Sequence, residues 1–113
     1  MIKIYHNNRC SKSRSGVAIL ENSGKEFEIV NYLKDVPSVE ELTEIINLLN
    51  ISPIELVRKN EKVWKESYKD KKLSNKEIIK AMIENPKLIE RPIIIHENKA
   101  VVGRPPEKIH DIL

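Results

Sequence analysis

An α/β fold built on a mixed four-stranded sheet follows from three observations. The N-terminal third reads strand–helix–strand, an order that needs a right-handed crossover and two parallel strands. The C-terminal quarter holds two apolar strand-type runs around a turn, the pattern of an antiparallel hairpin. Between them lie only helix periodicity and helix-start signatures, so an all-helical insertion separates strands 2 and 3. At 113 residues the chain is long enough for one ordinary core, and a single domain over residues 1–113 is expected.

Each element has its own signal. Residues 2–5 alternate as a first strand, and 13–22 read as a helix with Val17 and Leu20 facing the core, ended by Gly24. Residues 27–32 form the second strand. Ser38 and Glu41 have capping-box spacing, and Leu42, Ile45, Ile46 and Leu49 repeat at i, i+3, i+4, i+7 behind them. Ser52-Pro53-Ile54-Glu55 repeats the cap signature with Pro at the first helical position, opening a short helix that carries Leu56, Val57 and Arg58. Residues 59–72 are dense in mixed charge, and most of that stretch reads as a solvated face. Ser74 and Glu77 open a further helix with Ile78, Ile79, Met82 and Ile83 inward, stopped before Pro86. Pro92-Ile93-Ile94-Ile95-His96 and Ala100-Val101-Val102 are the hairpin strands, and Pro105-Pro106 leads a short terminal helix with Ile109, Ile112 and Leu113.

Composition excludes several function classes. One cysteine rules out an intrachain disulfide framework, a thiolate metal cage and an internal CxxC couple. Any redox chemistry at Cys10 therefore needs a thiol from outside. No long apolar stretch reads as a signal peptide or membrane span, so a cytoplasmic, reducing location is expected. The net charge of +3 is well mixed, with few aromatics and no nucleic-acid motif. A small positive excess still favours a small anion as ligand.

Cys10 stands at the junction of the first strand and the following helix, with Arg9, Lys12 and Arg14 around it. A helix N-terminus and nearby cations stabilise thiolate over thiol, and the thiolate is the nucleophile. A lone Cys is often a small buried hydrophobe, but Asn7, Asn8, Arg9, Ser11 and Lys12 do not suit a packed core. His6, four residues earlier, either adds positive charge near the sulfur or, if neutral, orients the loop. Ser11 and Ser13 are expected to help cap the helix. Arg91 and Arg104 lie at opposite ends of the hairpin sequence, and antiparallel pairing brings those ends together. Arg58 is the third arginine that stands out by placement. Guanidinium groups grip tetrahedral oxyanions with paired hydrogen bonds. Pro92 enters a strand after Arg91, a position where a cis bond is plausible. His96 and His110 lack a ligand cluster, and no metal site is expected.

These residues resemble a known family. Ile4-Tyr5-His6-Asn7-Asn8-Arg9-Cys10-Ser11-Lys12-Ser13-Arg14 is similar to the active-site segment of the ArsC family of glutaredoxin-dependent arsenate reductases. Arg58-Lys59-Asn60-Glu61, Ile89-Glu90-Arg91-Pro92-Ile93 and Gly103-Arg104-Pro105-Pro106 resemble its later motifs, in order, so the likeness covers nearly the whole chain. The resemblance implies a thioredoxin-like fold with a helical insertion. It also implies a Cys10 thiolate influenced by His6, a loop organised by Asn7, and an oxyanion site of Arg58, Arg91 and Arg104. It implies arsenate as substrate, glutathione as external reductant, glutaredoxin as regenerating partner, no bound cofactor, and action as a monomer. Asn8 stands where the family commonly has proline, which leaves that loop less restricted. Two other functions fit the same fold: a glutathione-dependent thiol oxidoreductase with another substrate, and an Spx-like RNA polymerase-binding regulator. The regulators' CxxC switch is missing here, because Ser13 occupies its second position.

Overall fold

The computed structural model describes residues 2–113. It forms two compact units: Met1–Asp35 with Arg91–Leu113, and Val36–Glu90. The first unit carries the sheet, and the second is the insertion between strands 2 and 3.

In the first unit, β1 (Ile2–His6), β2 (Phe27–Asn31), β3 (Ile93–His96) and β4 (Lys99–Val102) form one sheet in the order β2-β1-β3-β4. β1 and β2 are parallel, while β1–β3 and β3–β4 are antiparallel, the mixed thioredoxin-like arrangement. α1 (Ser11–Ser23) supplies the crossover between β1 and β2. It ends at Gly24, whose φ of 74° is the left-handed conformation that glycine adopts without strain. Ile2, Ile4 and Ile94 from the sheet, Leu20 from α1 and Ile109 from the C-terminal segment are buried together. Each such side chain stabilises by about 1.5–3 kcal/mol relative to exposure. The expected short terminal helix is present as a 3-10 helix over Pro106–Ile112. Pro105 and Pro106 bring no amide donors to its first turn. Arg91-Pro92 is cis, and so is Arg104-Pro105, which the sequence did not mark out.

The second unit contains α2 (Val39–Leu49), α3 (Lys62–Ser67) and α4 (Asn75–Glu84), with 3-10 turns at Pro53–Leu56 and Pro86–Leu88. The Ser38 side chain accepts the Glu41 amide, while Ser74 and Glu77 form a complete capping box. α4 packs on α2 and on both 3-10 turns, burying Leu42, Ile45, Ile46, Leu56, Ile78, Ile79, Met82 and Leu88.

One expectation needs correction here. The helix expected to carry Leu56, Val57 and Arg58 is a single turn. Val57 leaves it extended and bridges Ile89, with the Arg58 amide donating to Leu88 O (2.7 Å) and the Glu90 amide to Leu56 O (2.9 Å). A β-branched residue suits that extended pairing better than a second helical turn. Most of the charged stretch 59–72 is exposed, as expected, with one buried anchor. It contains α3, whose Trp64 is buried and stacks on Tyr68 with ring centroids 5.5 Å apart. One aromatic among lysines creates no periodicity over six residues, so the anchor is invisible to pattern.

Candidate active site

Cys10 is the N-cap residue of α1, half-exposed at the C-terminal end of β1. Its amide donates to Asn7 O (3.0 Å), and its carbonyl accepts the Arg14 amide (3.0 Å), which starts the helix. No side chain closes the helix start with a capping hydrogen bond. The thiol occupies that place instead, facing the Lys12 and Ser13 amides. Partial burial alone pushes the Cys10 thiol up. The Ser13 amide, the Arg91 guanidinium and the Lys12 amide outweigh it and hold the thiol below its ordinary value.

Ser13 was expected to cap, and the structure corrects this. Its hydroxyl is fully buried and points back across the loop. Oγ accepts the Asn7 amide (2.9 Å) and lies 2.5 Å from His6 Nδ1. Burial, with the charge of Arg14 adding to it, depresses His6 below its ordinary value despite the contact with Ser13. The ring is therefore neutral near pH 7, as the orienting role requires. Because Oγ already accepts from Asn7, its hydroxyl proton is free to be donated to Nδ1. Asn7 is buried and its Oδ1 accepts the Arg9 amide (3.0 Å), closing a local turn. Asn8 contributes its carbonyl to Arg14 Nη1 (2.9 Å). Ser11 is exposed at the first helical position, and its carbonyl accepts the Ser15 hydroxyl (3.0 Å), so it makes no cap either.

Arg91 reaches Cys10 from the segment before β3. Its guanidinium interacts electrostatically with the thiol and with the Tyr32 phenol. Burial works against its charge, but Cys10 and Tyr32 outweigh that and raise its pKa further. Its Nε–H is buried with no acceptor among the described residues. Such a donor costs about 1–3 kcal/mol until it finds one. Arg104 Nη1 lies 3.5 Å from the Arg91 carbonyl, so the two ends of the hairpin do meet.

Pro92 is buried, and its position depends on two glycines. A Cβ on Gly16 or on Gly103 would stand 3.1 Å from the Pro92 ring. The Gly103 amide also donates to Pro92 O (2.9 Å). Gly16 stands in no motif and Gly103 was quoted only as part of one, with no packing role, since the need for a missing side chain is set by a neighbour distant in sequence.

Arg58 belongs to the second unit. It is held there by Glu61 (3.3 Å) and Glu90 (3.5 Å). No group of three His, Cys, Asp or Glu side chains able to hold a metal occurs among the described residues.

A family model described as the ArsC family matches residues 5–112. An arsenate reductase of Haemophilus influenzae is 44% identical over 112 residues, covering 97% of this chain and 97% of its own length. An uncharacterized protein of Escherichia coli strain K12, YfgD, is 43% identical over 114 residues, 99% of this chain and 96% of its own. Among solved structures, an arsenate reductase from Vibrio cholerae matches with a TM-score of 0.94 at 43% identity, covering 99% of this chain and 97% of that one.

Proposed function

The chain belongs to the ArsC family, and on that premise we propose that it is an arsenate reductase acting through the Cys10 thiolate. The observation that carries the reading is the pairing of a lowered Cys10 thiol with a guanidinium that touches it and keeps a buried, unsatisfied Nε–H. A nucleophile and an oxyanion grip thus meet at one point.

In the proposed cycle the Cys10 thiolate attacks the arsenic of protonated arsenate. An As–O bond breaks, water leaves, and a sulfur–arsenic(V) bond forms. Arg91 and Arg104 bind the oxyanion and balance its charge. Glutathione then attacks the Cys10 sulfur. The S–As electron pair returns to arsenic, which leaves as arsenite, reduced by two electrons. Each sulfur is oxidised by one, giving a Cys10–glutathione mixed disulfide. Glutaredoxin, with further glutathione, reduces that disulfide and frees the thiol. His6, Asn7, Ser11, Ser13 and Pro92 shape the loop. The scheme needs no bound cofactor or metal, a monomer suffices for it, and a reducing cytoplasm supplies the thiols.

The test is arsenate-dependent NADPH consumption coupled through glutathione, glutaredoxin and glutathione reductase. Turnover by the wild type and none by Cys10→Ser is the expected result, since a hydroxyl is a far poorer nucleophile near neutral pH. Equal turnover by Cys10→Ser would overturn the mechanism. No turnover, with Cys10 still rapidly glutathionylated, would replace arsenate by another substrate.

A further inference from the structure

The charged stretch 59–72 takes no part in the proposed cycle, yet it borders a pocket of about 500 Å3 within the insertion. That volume falls inside the roughly 300–1,000 Å3 usual for small-molecule sites. Ile54, Leu73 and Trp64 give the pocket apolar walls, and Lys59, Lys69 and Lys71 supply its charge. No acidic side chain lines it among the described residues. The three lysines are exposed and make no ion pair among the described residues, whereas Lys62 does find Glu66. Lysine density alone does not explain this bias. A neighbouring pocket of about 270 Å3 shares Lys71 and Leu73, but there Glu77 and Glu84 offset Lys71 and Lys80. Glu66 and Asp70 belong to the same stretch as Lys69 and line neither pocket.

Trp64 is 7% exposed, and Tyr68 stacks on it with ring centroids 5.5 Å apart. A wall held in this way keeps its shape without a ligand, so little ordering opposes binding. Magnitudes decide which kind of anion fits. An exposed lysine gains a factor of roughly two to five in affinity from a counter-charge in water. Three of them hold a bare oxyanion only weakly. The apolar walls add to that only for a ligand with something apolar to bury. We propose that the insertion carries a second ligand site, for a small organic anion. A carboxylate or phosphate head is held by Lys59, Lys69 and Lys71, and an apolar body lies against Ile54, Leu73 and the Trp64 ring. The pocket is built from the insertion's own residues, so a chain that reduced no arsenate would still bind this ligand.

Trp64 is the single tryptophan of the chain, so the site contains its own reporter. The experiment titrates the full chain with phenyl phosphate, phenylacetate, inorganic phosphate and benzyl alcohol at constant ionic strength. Trp64 emission, the one indole N–H cross-peak and the Lys59, Lys69 and Lys71 amide signals are followed. At least one of the two aromatic anions is expected to move these signals saturably, with half-saturation at roughly 1 mM or below. The tighter of the two identifies the head group. Inorganic phosphate and benzyl alcohol are each expected to bind roughly tenfold more weakly or worse, because each lacks one half of the match. The triple variant Lys59→Gln, Lys69→Gln, Lys71→Gln is expected to weaken the aromatic anion by roughly tenfold or more. Its melting temperature is expected to stay unchanged, since all three side chains are exposed. Excess arsenate is expected not to displace the ligand. Signals that stay still for both aromatic anions would overturn the proposal. Equal affinity in the triple variant would overturn it too, and equally tight inorganic phosphate would reduce the pocket to a charged surface.

Discussion

At the scale of single residues, the site depends on geometry that charge alone does not supply. Arg91 faces a thiol, a phenol and, in the proposed cycle, an oxyanion, from one planar fork. Lysine keeps the charge but offers three donors around a point instead of a fork. Arg91→Lys is expected to lower kcat/KM for arsenate by roughly 10- to 100-fold, the equivalent of one charge-assisted hydrogen bond. Steady-state kinetics in the coupled assay checks this, and unchanged kinetics would remove Arg91 from the anion grip. The neutral state of His6 follows from the same local accounting. Burial disfavours the imidazolium, and Ser13 Oγ lies within hydrogen-bond distance of the ring, so a neutral His6 lends no charge to the sulfur.

At the scale of elements, α1 lies so close to the Pro92 ring that any side chain at Gly16 would have to push a neighbour by a few tenths of an ångström. A Cβ at Gly16 would stand 3.1 Å from Pro92 Cγ and 3.3 Å from Ile4 Cδ1 and Ile109 Cδ1. Alanine gains about 1 kcal/mol in helix propensity, but overpacking against a stiff ring costs about 1–3 kcal/mol. The net expectation for Gly16→Ala is a loss of about 1 kcal/mol in urea denaturation. A gain in stability would show that Pro92 yields easily. In the helical insertion the Ser74 hydroxyl accepts the Glu77 amide (3.2 Å) and Glu77 Oε1 accepts the Ser74 amide (3.0 Å). Ser74→Ala removes the first of these and is expected to cost about 1 kcal/mol. The same denaturation measurement decides it, and no change would mean that packing against α2 alone holds the start of α4. This capping box was legible from Ser74 and Glu77 because both partners lie within one turn. α3 was not, because Trp64 finds its buried place through contacts that its lysine-rich neighbours do not announce.

At the scale of the whole molecule, Cys10 and His6 give stability the same direction of dependence on pH. The folded state holds the Cys10 thiol below its ordinary value. The unfolded chain therefore keeps that proton to higher pH, and stability rises with pH between the two midpoints. The contribution is complete above the unfolded value, about 8.5, and is lost as pH falls through the folded midpoint. His6 is also depressed, so the unfolded chain takes up its proton first, and stability falls as pH drops below about 6.5. The stability advantage of wild type over Cys10→Ser is expected to widen as pH rises through the thiol's folded midpoint. Denaturant unfolding across that range checks it, and a constant difference would contradict a lowered thiol. No helix among the described residues is long and apolar enough to cross a membrane.

The sequence by itself determined the strand and helix order, the mixed four-stranded sheet, the insertion between strands 2 and 3, and Cys10 at the strand–helix junction. Periodicity, caps and a helix start are properties of neighbours in the chain, so they are written locally. It also set the meeting of Arg91 and Arg104, because a hairpin returns on itself and brings its two ends together. Tertiary structure alone decided that Ser13 turns back to His6 instead of capping α1, and that Pro92 sits between Gly16 and Gly103. Each of these joins segments far apart in sequence through one buried polar group or one close approach. Such contacts depend on strand register and packing distance, which no local pattern of residue types encodes.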